Sequence, residues 1–418
     1  MRSLSCFDGL PVSSRQRAGE RLAAVGCKTM KRVELLRIIR ICNKLVAGLT
    51  PILFLSGVIR KIFCMQFIRP PQAVCAAPAA HRQGAGLLFL GAMLAALFSL
   101  ALSAEAQADT LTVYSARNEQ LLKPLLDQFT KNSGTQVQLL TASEAALLAR
   151  MSAEGASSPA DVLITVDAGN LWQAVQKNLL QPLASGVLEK NIPAHLRDPA
   201  NHWFGMSVRA RTIVYSKARV PAGMLSTYED LADPKWRGKL CLRTSKKVYN
   251  QSLVAMMMQD LGEAKTEAVV KGWVANLATD VFSDDTALLK AIAAGQCQVG
   301  IANTYYLARL LQADAAFPVG LFWANQATTG VHVNVSGAGV ARHSKNPALA
   351  RKFLEFLSSD EAQKIYSDKD LEFPANPAVA ADSIIKSWGS FKPNVINVSK
   401  AGELQAAATR LMDRAGYR

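Results

Sequence analysis

The chain has 418 residues, a formal net charge of +15, a hydrophobic content of 50% and only 7% aromatics. An apolar half of this length buries enough surface to offset ordering entropy, so disorder is excluded for most of the chain, and there is material for two or three domains. Residues 1–108 carry 14 Lys/Arg against 4 Asp/Glu, and the remaining 310 carry 33 against 28, so the globular part is not strongly basic and a nucleic-acid partner is not indicated.

Residues 86–103, GLLFLGAMLAALFSLALS, form an uncharged apolar run of 18 residues. Arg69 and Arg82 precede it and Ala106-Gln107-Ala108 follows. A positive flank, an apolar stretch and a small-x-small site read as a secretory signal over 65–108, cleaved after Ala108. The alternative is a retained anchor, since 18 residues just span a bilayer; the Ala, Gly and Ser in the run favour cleavage. No Cys stands just after the run, which argues against a lipid-anchored N-terminus. Residues 1–64 are basic and hold a second apolar patch from Leu45 to Phe63. They read either as an upstream extension that is not translated, with Met65 as the working start, or as a cytoplasmic tail; the ordinary signal layout after Met65 favours the first.

Five of the seven cysteines (Cys6, Cys27, Cys42, Cys64, Cys75) precede the cleavage site, leaving Cys241 and Cys297. An even number suits an oxidising compartment and favours a disulfide over two buried thiols. Such a link contributes about 4 kcal/mol on the chain-entropy account.

Leu111 to Ser115 is β-like, and Asn118 to Phe129 has Leu121, Leu122, Leu125, Leu126 and Phe129 on one helical face. Thr135 to Leu140 is β-like, Ser143 to Met151 a helix capped by Ser143, Asp161 to Val166 a buried strand, and a helix follows through Leu171, Ala174 and Val175. This rhythm with short connections predicts a parallel sheet covered by helices. Met206 to Tyr215 is extended and leads into a second series: strand Lys239 to Arg243, helices Asn250 to Leu261, Glu267 to Leu277 and Asp285 to Ala294, and strand Gln298 to Ala302. Gly330 to Val340 is again extended and Pro347 to Ser358 amphipathic. Two αβ series after residue 109, with no long linker or repeat, predict two lobes with a crevice at the carboxyl ends of strands.

GxSxG, P-loop, GxGxxG after a strand, HExxH and CxxC are all absent, and His195, His202, His332 and His343 stand at no metal-ligand spacing. An exported αβ protein without catalytic motifs points to binding. Tyr305 and Tyr306 are adjacent where an apolar strand gives way to a helix, and Tyr249 lies at another strand-to-helix junction. Three phenols converging there supply hard anionic oxygens, best matched to ferric iron; the other reading is that these rings pack and hydrogen-bond through their hydroxyls.

Residues 109–418 resemble the periplasmic ferric-iron-binding proteins of ATP-driven iron importers, a tyrosine-rich branch of the type 2 periplasmic binding proteins. The resemblance rests on Val-Tyr-Ser-Ala-Arg117, the segments 160–169, 208–215 and 231–239, Val-Tyr-Asn-Gln-Ser252, Asn-Thr-Tyr-Tyr306 and the segment 356–362. It implies an α/β, two-lobed fold, each lobe a mainly parallel sheet flanked by helices, joined by hinge strands. It assigns 109–207 and 331–385 to lobe 1, 208–330 to lobe 2, and 386–418 to C-terminal helices packing on lobe 2. It further implies a periplasmic monomer without enzymatic activity that hands Fe(III) to an ABC permease and its ATPase. Tyr249, Tyr305 and Tyr306 become the ferric ligands. Arg209 or Arg211 becomes the holder of an anion such as carbonate, with Asn303 facing the crevice near it and Thr244 and Ser245 on an anion-binding turn; the other reading of the two arginines is a hinge-strand salt bridge. Many relatives place His, or His-Tyr, four or five residues after the first-strand Tyr, where this chain has Asn118 and Glu119. The first-lobe candidates are therefore Glu119, Asn118, Asp167 and Tyr114, and water or the anion otherwise completes the set. The rival reading is a binder of an oxyanion or phosphonate without metal.

Overall fold

The computed structural model describes residues 109–418, so the signal, extension and start-site readings lie outside the described residues. The first series follows the predicted alternation: β1 (Thr110–Ser115), α1 (Glu119–Ser133), β2 (Gln136–Thr141), α2 (Glu144–Glu154), β3 (Val162–Thr165) and α3 (Ala168–Gln176). Local chemistry sets the ends. Asn118 caps α1 and Gly134, at φ 72°, stops it in the left-handed region where a side chain is penalised. Ser143 caps α2 through the Ala146 amide, and Asp167 caps α3 through the Gly169 amide. Leu122, Leu125, Leu126 and Phe129 are the buried stripe of α1, at helical spacing. β1 pairs in parallel with β2 on one side and β3 on the other.

After α4 (Gly186–Asn191), the chain enters β4 (Phe204–Ser216), 13 residues long and buried at all but Tyr215. The second series is β5 (Leu240–Cys241), α5 (Val248–Leu261), α6 (Glu263–Ala275), α7 (Asp285–Ala294), β6 (Val299–Asn303), α8 (Thr304–Ala313) and β7 (Val319–Phe322). β8 (Val333–Val340) then returns to the first sheet, followed by α9 (Pro347–Leu357), α10 (Asp360–Asp370), β9 (Phe373–Pro374), α11 (Ser383–Lys386) and α12 (Lys400–Arg414).

β4 is the strand that joins the halves. From Phe204 to Ala210 it pairs antiparallel with β8, which itself lies against β3; from Arg211 to Tyr215 it pairs antiparallel with β6. The parallel expectation describes β1–β2, β1–β3 and β5–β6, whereas every pairing of β4 is antiparallel. Antiparallel return is what lets one extended strand and its neighbour serve both sheets without a long crossover. The C-terminal α12 lies along α5 and also on α3, where Gly402 allows the approach: a Cβ there would stand 2.4 Å from the Trp172 Cβ.

Cys241 on β5 and Cys297, just before β6, form a disulfide across a separation of 56 residues, beside Leu288 and Ile292. Replacing both by Ser is expected to lower unfolding stability by about 4 kcal/mol, the loop-closure term for a crosslink of this length. Urea unfolding of oxidised wild type against the double variant checks this; equal midpoints would show that the bond carries no such term.

Candidate metal centre

Tyr305 and Tyr306 open α8 directly after β6, and Tyr249 lies in the first turn of α5 after β5. The strand-to-helix junction turns two successive side chains toward one place: the Tyr305 and Tyr306 rings have centroids 4.4 Å apart, tilted by 36°. All three phenols line one cavity of about 320 Å³. Its other walls come from the first sheet and the joining strands: Arg117 and Asn118 after β1, Arg209 on β4, Ser336 on β8 and Glu372 before β9.

Cations crowd the phenols. The Tyr249 ring has Lys247 Nζ at 4.9 Å, Arg243 at 5.5 Å and Arg209 at 5.6 Å from its centroid, and Arg309 stands 5.0 Å from the Tyr305 centroid. Burial nevertheless dominates. It pushes the Tyr249 hydroxyl up to about 12, with Arg209 pulling the other way and the neighbouring Tyr306 adding to the rise. Tyr305 is raised well above its ordinary 10 by burial and by its two tyrosine neighbours. These two phenols are therefore protonated at neutral pH, and a cation that binds them must displace their protons.

The arginines predicted as a pair separate. Arg209 lines the cavity; its Nη1 donates to Ser336 Oγ at 3.0 Å, and its buried Nη2 has no hydrogen-bond partner among the described residues, the Asp167 carboxylate being 4.0 Å away. Arg211 lies outside the cavity lining and is fully engaged. It contacts Asp285 at 3.1 Å, Asn250 at 2.9 Å, Asn303 at 3.0 Å and the Ile301 carbonyl at 3.2 Å. Both arginines occupy one face of β4, but the strand changes sheet between them, so the shared face meets different neighbours.

Asn303 accepts from Arg211 and donates to the Tyr305 hydroxyl at 3.3 Å, which places it behind the phenol rather than on the cavity wall. Thr244 and Ser245 also stay off the wall: their amides donate to the Phe282 and Arg418 carbonyls. Of the first-lobe candidates only Asn118 lines the cavity, with its side-chain oxygen occupied by the Gln120 amide at 2.9 Å. Glu119 is exposed on α1 and faces a separate surface groove. Tyr114 is buried on the other side of β1, its hydroxyl donating to Glu154 at 2.9 Å. Asp167 is buried as the cap of α3 and accepts from Gly169, Ser252 and Asn334.

Several wall residues were not singled out in advance. Arg117 ends the quoted β1 motif; it is buried and donates to Ser336 at 2.8 Å, to Glu372 at 3.3 Å and to Asp370. Burial pushes the Asp370 carboxyl up to about 6 against the pull of Arg117, whereas the arginines around Glu372 hold that carboxyl below its usual range despite burial. Arg309 was legible, standing one helical turn after Tyr305 on α8. Lys247 was legible too, two residues before Tyr249. Ser336 and Glu372 had no local signal, since only the return of β8 and β9 to β4 brings them here.

The chain matches the family described as bacterial extracellular solute-binding protein over residues 125–393. It is 41% identical over 314 residues to "Iron uptake protein A1" of Synechocystis sp., covering 74% of this chain and 87% of that protein. A Trichodesmium protein (FutA, IdiA) solved in complex with iron and citrate superposes with TM-score 0.71 at 46% identity, over 74% of this chain and all of that one. The ferric binding protein of Campylobacter jejuni superposes with TM-score 0.70 at 35% identity, over 74% and 100% of the two chains. The two sheets sharing β4, with a cleft between them, thus have the two-lobed architecture of these periplasmic binding proteins, and the chain belongs to the bacterial extracellular solute-binding protein family.

Proposed function

We propose that the cleft captures Fe(III) through the phenolates of Tyr249, Tyr305 and Tyr306, with an oxyanion or carboxylate co-ligand held by Arg209 and Arg117. Three phenols on one cavity, ringed by Lys247, Arg209, Arg243 and Arg309, is the observation that carries this reading. Phenolates are hard donors suited to a hard trivalent cation. Three of them neutralise Fe(III), so the surplus of positive side chains favours an anion beside it. Arg209, on the cavity wall, is the side chain from which that anion accepts a charge-assisted hydrogen bond. Glu119, Tyr114 and Asp167 lie off the cavity wall, whereas the Glu144 carboxylate at the start of α2 lines it, so Glu144, the anion or water fills the remaining coordination positions.

The same reading makes the chain a carrier rather than an enzyme. It works outside the cytoplasmic membrane: the two lobes close on Fe(III), and the closed form is presented to an ABC permease driven by its ATPase. The Synechocystis iron uptake protein and the iron–citrate complex of the Trichodesmium protein support it. Binding of an oxyanion or phosphonate without metal is the second reading, favoured by Arg209 and Arg117 alone.

Titrating the metal-free protein with ferric citrate is expected to give a visible phenolate-to-iron charge-transfer band that saturates at one equivalent. Tyr305→Phe and Tyr249→Phe should each lose more affinity than the about 10–100-fold typical for removing an outer partner of a ligand. Anion binding with no band, unaffected by either substitution, would assign the tyrosines to packing and favour the second reading.

The sign of the pH effect follows from the two raised phenols. Protonated when the cleft is empty, they must lose their protons to bind, so affinity rises with pH and falls in acid. For the three protons that three phenols release per iron the expected slope is about 1000-fold in apparent affinity per pH unit. Competition against a chelator of known protonation, from pH 5 to 8, measures it; a flat profile would mean that Tyr249 and Tyr305 are not ionised in the complex.

A further inference from the structure

The first turn of α5, which carries Tyr249, is tied to α3 of the first sheet at two successive residues. Ser252 Oγ donates to Asp167 Oδ1 at 2.8 Å, and Asp167 is the buried cap of α3. One residue earlier, Gln251 Oε1 accepts from Gln405 Nε2 of α12 at 2.9 Å, and Gln405 Oε1 accepts from Gln173 Nε2 of α3 at 2.8 Å. Gln251 Nε2 then donates to the Ser245 carbonyl at 3.2 Å, in the turn that leads from β5 to Tyr249. Gln173 donates to Gln405, Gln405 to Gln251 and Gln251 to the Ser245 carbonyl, so the three glutamines form a chain of one polarity from α3 to that turn. Gly169 leaves room for both ties: a Cβ there would stand 3.1 Å from Asp167 Oδ1 and 3.1 Å from Gln405 Oε1. The segment just after α12 holds the start of the same turn, since the buried Tyr417 hydroxyl donates to the Arg243 carbonyl at 2.5 Å.

We propose that Gln405, bridging Gln173 and Gln251, is a positioning residue that couples the relative placement of the two lobes to the placement of the Tyr249 phenol. The inference rests on the ferric reading of Tyr249. α3 belongs to the first sheet and α5 to the second, so a hinge rotation moves one against the other. The ties at Gln251 and Ser252 either break or carry the first turn of α5 with them. Tyr249 therefore reaches its ligand position when the ties are made, and iron is held longest in that state. The glutamine link contains no titratable group, whereas the Ser252 tie ends on the Asp167 carboxyl, which burial pushes up against the pull of Arg209.

Gln173 touches neither Tyr249 nor its turn, which makes it the discriminating site for substitution. Full-length Gln173→Leu and Gln405→Leu proteins are compared with wild type by amide hydrogen exchange without metal, and by ferric dissociation into excess chelator. Both variants are expected to exchange the 244–250 amides about tenfold faster, the loss of about one net hydrogen bond, with α1 unchanged. Ferric dissociation is expected to quicken about tenfold, with a displaced charge-transfer maximum. Unchanged exchange at 244–250 in both variants would overturn the coupling. Faster exchange with unaltered ferric dissociation would overturn it as well, since the glutamines would then hold the turn and not the ligand. If wild type itself shows no ferric band, the ferric reading fails and the exchange arm alone decides whether α3 and the turn are coupled.

Discussion

Two buried arginines on one strand, Arg209 and Arg211, set the terms for the rest of the cleft. A guanidinium out of water requires partners on every side, and the partners available differ because β4 passes from one sheet to the other between these two positions. Arg211 gathers Asn250 from α5, Asp285 from α7 and Asn303 from β6. Asn250 is the chain neighbour of Tyr249, and Asn303 donates to the Tyr305 hydroxyl. The platform that presents the tyrosines is thus organised around a buried cation that never reaches the cavity. Arg209 lines the cavity, bonds Ser336 through Nη1 and lies beside the Asp167 carboxylate and the Tyr249 ring.

Opposed electrostatic terms shape the cavity. Burial and mutual proximity disfavour ionised phenols, and the surrounding Lys247, Arg243, Arg209 and Arg309 only partly offset this. Such a set holds little charge when empty and becomes well matched only when a trivalent cation arrives. On the proposed tyrosine coordination, selectivity for Fe(III) over softer or less charged ions rests on donor hardness and on the cost of deprotonating buried phenols, which a divalent ion recovers less well. The first sheet faces this cluster with Arg117 and Glu372 already paired, and α2 adds the Glu144 carboxylate to the same wall.

α12 connects these local features to hinge motion. It packs on helices from both sheets, and Gly402 is small enough to let it lie against Trp172. A helix that contacts both halves and also braces the turn before Tyr249 places a polar network where lobe movement and ligand geometry meet. Half-buried amide networks of this kind contribute about 1 kcal/mol per bond net, enough to alter a dissociation rate measurably without deciding whether the chain folds.

Local pattern carried the elements. The leucine spacing of α1, the Ser143 cap, the buried run of β3 and the two-series rhythm all rest on neighbours within a few residues, and the folded chain has them where the pattern put them. The tyrosines were legible for the same reason, since a phenol at a strand-to-helix junction is oriented by its own backbone, and Arg309 could have been found one helical turn on. Residues whose role depends on distant strands were not legible. Arg209 and Arg211 look equivalent in sequence, and only the passage of β4 between sheets separates a cavity wall from a structural hub. Asp167, Tyr114 and Glu119 carry oxygen donors suitable for iron, yet side-chain direction on β1, α1 and the α3 cap sends all three elsewhere. Ser336, Glu372 and the Gln173–Gln405–Gln251 chain join residues up to 255 positions apart. Sequence by itself determined the elements, the two-series plan and the phenols, because each is settled by short-range sterics and periodicity. The tertiary structure alone decided which charges face the cleft, because that depends on which strands return to lie beside one another.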